Sequence, residues 1–392
     1  MKRLLLFTFF AALFFSCERA TGTSNLISIS RGDGTSRPDK EDNLPQEELP
    51  DLPEGKSLYV CGVDYSKDGT TELVLFKDGV RLQAYECSNN TLISDEADSH
   101  FLINGDLYTS FTYNGKTSLS KNGELLFQIN GKEYIRSILI LDDIIWSASV
   151  FTTSNGFTIR KNGNNVFSKQ DGALKTFYID ENNICFEYLT EWEGKKQIFL
   201  VKNTIESALK AHLGTDLLCA RFHQGKIWYL EYASPYYIIH SGSQVYKIPQ
   251  TYGFEYTDSE LQPLENGTCA AVIHLKSNYS PMTVDYICKT DTSWIEGAGT
   301  LCHYYMSQYP ERKVCLNKDR TSLVITGSDK HSISIENAYI ATERCGTQEN
   351  GKLFLGLTLK DENQHPIIWS EGNSTPYNIK GTITGICFTP PK

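Results

Sequence analysis

The sequence has no HExxH pair, no GxSxG elbow, no Walker A loop and no calcium-binding loop. It therefore carries none of the short signatures that place a catalytic metal, an activated serine or a nucleotide phosphate. Positive charge is scarce: 37 Lys and Arg stand against 47 Asp and Glu, a net charge of −10. A protein that grips a nucleic-acid backbone needs a basic footprint, and this chain has the opposite balance. Its eight histidines form no ligand cluster along the chain, and no CxxC pair or Cys/His spacing marks a zinc site. No metal and no cofactor is expected.

The longest apolar stretch is also too short for one role. Lys2 and Arg3 precede twelve residues, Leu4 to Phe15, broken only by Thr8. Twelve residues fall well short of the roughly 20 a membrane-crossing helix needs, so the segment reads as a secretory leader. Phe14-Phe15-Ser16-Cys17 follows, with a small residue directly before a cysteine. The pattern resembles a bacterial lipoprotein signal, which implies cleavage before Cys17, lipidation of that residue and an anchor on a Gram-negative cell envelope, at the outer membrane. Loss of Lys2 and Arg3 with the leader leaves a mature charge of −12. From residue 18 to about 55 the chain turns to Ser, Thr, Gly, Pro, Asp and Glu. Such a stretch buries too little to offset its chain entropy and reads as a tether, with a reach of roughly 35 Å. The folded domain is expected over 56–392.

Ten cysteines remain beyond Cys17. An even count in an exported chain invites disulfides. Most sit inside apolar runs such as Asn183-Ile184-Cys185-Phe186, however, where cysteine packs as a small hydrophobe, so mostly free, buried thiols are expected.

The informative feature is a repeat. A polar tight turn between two short strands recurs as Lys77-Asp78-Gly79, Lys121-Asn122-Gly123, Lys161-Asn162-Gly163, Lys202-Asn203, Ser241-Gly242, Lys289-Thr290-Asp291, Gly327-Ser328-Asp329 and Glu371-Gly372, spaced by 39 to 48 residues. Asn-Gly and Asp-Gly accept the positive φ angles of a hairpin turn. Between these lies a second strand pair, as in Leu139-Ile140-Leu141-Asp142-Asp143-Ile144-Ile145-Trp146. Four short antiparallel strands per forty-odd residues is the arithmetic of a β-propeller blade, and the chain resembles propeller proteins over 56–392. The spacing predicts an all-β fold of eight four-stranded blades, with seven as the alternative count and a pair of β-sandwiches as the competing architecture. Ile383–Phe388 is predicted to supply the inner strand of a blade whose other three strands come from residues 58–85. Two places fit the pattern poorly: residues 205–213 read as a helical turn, and residues 252–264 as irregular.

Tight turns after the first and third strands of each blade would occupy one face of the disk. The longer connections then lie on the other face, which is where function sits in such scaffolds. That face offers Tyr134, Trp192, Tyr236, Tyr237, Tyr252 and Tyr279 as rings for a glycan or a peptide, although packing between adjacent blades is the commoner role of any single ring. Arg136, Lys175 and His303 stand where inner strands begin and are candidates for the central channel. No catalytic residue is expected: the adjacent carboxylates Asp142-Asp143 and Asp180-Glu181 fall in turns, where Asp serves the backbone. In anchor and architecture the chain is similar to the eight-bladed propeller lipoprotein of the outer-membrane barrel-assembly machinery, although it lacks the regular Trp-containing blade motif of that family. The expected function is a membrane-anchored, non-enzymatic binding or scaffold module for an envelope protein, peptide or glycan. A carbohydrate-active hydrolase or lyase is the alternative, and requires paired carboxylates at the channel mouth.

Overall fold

A computed structural model describes residues 52–389, apart from 66–70, 88–99, 114–115, 131–132, 152–153, 193–194, 243, 251–253, 265, 279–282, 289–292, 297–299, 306–311, 318–320, 328–331, 342, 361–364 and 378. Cys17 and the proposed tether lie outside the described residues. Strands fall into eight antiparallel sheets, seven of four strands and the last of five. Eight blades are thus observed, as the repeat predicts.

Blade 1 takes its inner strand, Gly381–Thr389, from the C-terminus and its other three, Ser57–Asp64, Thr71–Lys77 and Val80–Cys87, from the N-terminus. Leu58 pairs with Phe388, and Asp64 with Gly381. Gly381 is required by the approach of the two chain ends: a Cβ there would lie 1.8 Å from the Val63 carbonyl oxygen. Blades 2 to 7 follow in order, with inner strands His100–Ile103, Glu133–Leu141, Ala173–Asp180, Asp216–His223, Phe254–Pro263 and Thr300–Tyr305. Blade 8 has a divided inner strand, Ala338–Tyr339 and Gly346–Glu349, separated by a short excursion that includes the 3₁₀ turn Glu343–Cys345. One apolar core joins blades 7, 8 and 1 through Val314, Leu355, Trp369, Val74 and Ile383.

Position within a blade decides composition. Second and third strands face a neighbouring blade on each side and are buried on both, so the middle of Thr71–Lys77 is the unbroken apolar run Leu73-Val74-Leu75-Phe76. Outermost strands are mostly exposed, as in Asn164–Lys169. This explains the two places where the sequence pattern fails. Residues 205–213 are not a helical turn: Ile205–Leu209 is the outer strand of blade 4, pairing Ile205 with Lys202 and Leu209 with Ile198. Its side chains carry almost no burial signal, and strand pairing overrides local preference. Residues 254–263 are likewise a ten-residue inner strand.

The recurrent turns do more than reverse the chain. Asn162, at φ 46°, gives its amide hydrogen to the Ile145 carbonyl at 2.8 Å and accepts the Ile145 amide on Oδ1 at 3.0 Å. Asp78 does the same with Leu58, Asn122 with Leu107 and Asn203 with Ile184. Each turn of the outer hairpin is thereby clamped to the start of the second strand. The glycine that follows Asn162 also touches the next blade: a Cβ on Gly163 would lie 2.8 Å from the Phe127 ring of blade 2. This double bond is why Asn or Asp stands there, since only a short carbonyl-bearing side chain tolerates positive φ and reaches the amide.

Six free thiols are described, five of them buried, as expected; burial raises the pKa of Cys61 to about 12. Cys315, by contrast, is disulfide-bonded.

Replacing Asn162 by Ala keeps the backbone bond but removes the Oδ1 acceptor of the Ile145 amide, and puts at positive φ a residue less tolerant of it than Asn. Urea unfolding of Asn162→Ala is expected to show a loss of about 1–3 kcal/mol. Asn164→Ala, on the exposed outer strand beside it, is expected to stay within about 0.5 kcal/mol of the parent.

Candidate functional site

Five of the inner strands share one irregularity. Pairing with the second strand skips Arg136 between Ile135 and Ser137, Lys175 between Leu174 and Thr176, Leu218 between Leu217 and Cys219, and Thr257 between Tyr256 and Asp258. Thr384 is skipped in the same way in blade 1. Each is a β-bulge, which adds one residue and re-aims its side chain. The bulged residues of blades 3 to 6 line one cavity of about 660 Å³ at the centre of the disk. Thr384 lines a smaller cavity, of about 260 Å³, together with residues of blades 2, 3 and 8.

Two of the residues proposed from sequence, Arg136 and Lys175, therefore meet in one cavity, brought there by bulges 39 residues apart. Arg136 is exposed and gives one hydrogen bond, from Nη1 to the Leu174 carbonyl at 3.1 Å. Lys175 Nζ lies 3.5 Å from both carboxylate oxygens of Asp258, across from blade 6. Both groups are exposed, so the contact is weak. Arg221, which the sequence did not single out, completes the cationic set. Its guanidinium lies 4.0 Å from the centre of the Tyr178 ring, with Nη1 3.4 Å from the Leu261 carbonyl.

Opposite these cations stand Glu187, Asp258 and Glu260. Glu187 is buried, at 3% exposure, and accepts the Ala220 amide on Oε1 at 3.1 Å. Burial raises its pKa to about 7, and Asp258 pushes the same way; the Ala220 amide, Lys175 and Arg221 offset part of the rise. A carboxyl group poised near neutrality beside a second carboxylate can hold or release a proton at the cavity wall. Glu187 was legible only as an acid interrupting the apolar run Phe186-Glu187-Tyr188, and its direction depends on strand pairing. Not every charge near the channel is free to meet a ligand. Glu133 and Arg160 form a buried two-pronged pair, 2.8 Å on each side, that braces blade 3.

The aromatic candidates divide. Tyr134 and Tyr236 are exposed, at 42% and 40%, on the face carrying the longer connections. Tyr237 is not displayed: it is 2% exposed and packs beside Tyr232 at 5.4 Å, in the core between blades 5 and 6, because the strand pleat turns it away from its neighbour. It is a packing residue. Tyr252 and Tyr279 lie outside the described residues, as do the side chains of Trp192 and His303. Tyr256, on the inner strand of blade 6, lines the larger cavity, with its hydroxyl 3.1 Å from Ser259 Oγ. No histidine lines the larger cavity among the described residues. Two of them converge elsewhere, on blade 5 and its connection to blade 4, where His212 and His240 flank Glu231. Separations of 19 and 9 residues hide that grouping from any linear motif.

The fold and this channel define an eight-bladed β-propeller with a mixed-charge central cavity. No protein-family model matches the chain, and no curated protein matches it. Among solved structures, a eukaryotic initiation factor aligns over 86% of this chain and 98% of its own, at 10% identity and a TM-score of 0.42. Hsv2 of Kluyveromyces lactis aligns over 81% and 95%, at 9% identity and 0.38. The β-propeller domain of the Trilobed protease of Pyrococcus furiosus aligns over 82% and 97%, at 9% identity and 0.37. At these values the blade count rests on the sheets themselves.

The Glu187 pKa gives a signed prediction. A carboxyl raised from 4.5 to about 7 by folding contributes stability below pH 4.5 that is lost as pH rises through 7. Glu187→Gln, a neutral isostere, is therefore expected to melt with the parent at pH 4.5 and above it at pH 8. The gap should approach about 3 kcal/mol at most. Equal pH profiles for the two proteins contradict the assignment.

Proposed function

We propose that the chain is a non-enzymatic binding module, tethered through Cys17 to the outer membrane of a Gram-negative envelope, that takes a carboxylate-bearing glycan or peptide segment at the mouth of its channel. The observation that carries the reading is the convergence of Arg136 and Lys175 on one cavity by way of bulges. Arg136 spends one of five donors on a backbone carbonyl and Lys175 meets Asp258 only at 3.5 Å, so both cations retain donors for a bound carboxylate. Tyr134 and Tyr236 add exposed rings at the rim. The leader and the low-complexity segment before residue 56 support export and a tether. The disulfide at Cys315 supports an oxidising compartment, since such bonds are rare where thiols are kept reduced.

A second reading has its own support. Three carboxylates line the cavity, one with a pKa near 7, which meets the paired-acid requirement of a glycan-cleaving enzyme in kind. Glu187 would be the acid and Asp258 its partner.

Calorimetric titration with acidic oligosaccharides and with peptides ending in a free carboxylate separates the readings. Binding that weakens at least about tenfold in Arg136→Ala and Lys175→Ala, with the ligand recovered intact, is the expected result. Ligand turnover that Glu187→Gln abolishes favours the enzyme. Binding unaffected by either cation substitution contradicts the channel as the site.

A further inference from the structure

Blade 5 carries a second polar cluster, outside the channel. Glu231 lies on the second strand, Lys226–Ala233, and His240 on the third, Tyr236–Ser241. Residue 229, two positions before Glu231, pairs directly with His240, so the two side chains share one face of the sheet. His212 comes from the connection that leads from the outer strand of blade 4 into blade 5. These three residues lie at successive separations of 19 and 9 positions, and the fold brings their donor atoms to within 4.8 Å of one another.

The carboxylate is the centre of the group. Glu231 is 1% exposed, an unusual place for an acid unless something holds it. Its Oε1 accepts the His212 amide at 2.8 Å, which fixes the carboxylate plane. Its Oε2 lies 2.8 Å from His212 Nδ1 and 3.0 Å from His240 Nε2. Two imidazole nitrogens thus crowd one oxygen, and of the two only His212 Nδ1 is aligned for a hydrogen bond with it. His240 is 7% exposed, and its Nε2 is buried with no aligned hydrogen-bond partner: it stands near Glu231 but off the line of a hydrogen bond. A buried imidazole nitrogen 3.0 Å from a carboxylate but out of hydrogen-bond alignment is poorly satisfied, and an ion bound between the two would satisfy both. The ring is held from behind, with Tyr229 stacked on His240 at 4.4 Å and 6°. An anchored carboxylate and an oriented imidazole are the supports that metal-binding side chains need.

We propose that His212, Glu231 and His240 form a site for a divalent transition-metal ion of the zinc class. Two imidazoles and one carboxylate suit zinc, cobalt, nickel or copper and are poor donors for calcium or magnesium, which prefer all-oxygen sets. In a tetrahedral site with bonds of 2.0–2.2 Å, neighbouring donors stand roughly 3.3–3.5 Å apart. The observed 2.8 and 3.0 Å open to that spacing with movements of about half an ångström. The larger adjustment falls on His212, whose ring lies 23° from that of His240 at 5.1 Å and must turn out of the stack. It is free to do so, being exposed and outside any strand. Three protein ligands leave the fourth position open on the solvent side, where His212 stands. A bound ion would also pin the connection between blades 4 and 5 to the face of blade 5.

The test uses the full-length protein stripped of metal with a chelator and titrated with Zn²⁺ alone, in parallel with His212→Gln and His240→Gln. The expected result is one ion per chain, with affinity reduced at least about tenfold in both variants. Co²⁺ in place of Zn²⁺ should give the visible absorption of a four-coordinate ion, absent in the variants. Ca²⁺ should not compete. His212→Gln alters only an exposed side chain and decides the matter even if His240→Gln fails to fold. No uptake of Zn²⁺ by the parent protein, or parent-like affinity in His212→Gln, overturns the proposal.

Discussion

The pairing of Gly381–Thr389 with Ser57–Asp64 is the contact on which the rest of the molecule depends. Without it, blade 1 lacks its inner strand, and the first and last segments of the domain have no common sheet. The two strands are more than 300 residues apart in sequence, so forming them carries a long-loop entropy cost, although that cost grows only slowly with length. What offsets it is the apolar core that blade 1 shares with blades 7 and 8, through Leu58, Val60, Ile383 and Ile386 on one side and Leu355, Leu357 and Trp369 on the other. The same inner strand presents Thr384, Gly385 and Ile386 to the smaller channel cavity, so closure and channel shape are one event.

Once the ring is set, function is written in small departures from the regular blade. A straight inner strand alternates its side chains between two neighbouring blades. One added residue per strand breaks that alternation, and it does so at corresponding places in blades 3 to 6, where Arg136, Lys175, Leu218 and Thr257 are delivered to one cavity. The acids have two origins: Asp258 and Glu260 stand on the inner strand of blade 6, whereas Glu187 comes from the second strand of blade 4 and is buried where blade 5 supplies the Ala220 amide. Cations near solvent and a protonatable acid at the wall give the cavity its mixed character. The His212, Glu231 and His240 cluster follows the same logic on the blade face, with one member supplied by an interblade connection.

Most of the architecture was legible in the sequence because the turn chemistry is strict. Asp78, Asn122, Asn162 and Asn203 occupy positive φ and bond backbone amides at a corresponding place in each of blades 1 to 4, so residue type and spacing report the fold directly. The outer strand Ile205–Leu209 was not legible, since its exposed residues carry no alternation and only pairing defines it. Arg136 and Lys175 could be placed near the channel from their position at the start of inner strands. Tyr237 could not be separated from Tyr236, because adjacent residues in a strand point opposite ways and the register decides which is buried. Glu187 and Glu231 left a trace, as acids inside apolar strands, but their partners lie in other strands and are set by topology alone.

Removal of residues 381–392 tests the dependence of the domain on its joined ends most directly. The truncated protein is expected to lose its near-ultraviolet circular dichroism and its cooperative thermal transition, because blade 1 is left with an unpaired inner edge and the core it shares with blades 7 and 8 is opened. A truncated protein that melts cooperatively at the temperature of the full-length chain would contradict the claim that this strand pairing holds the propeller together.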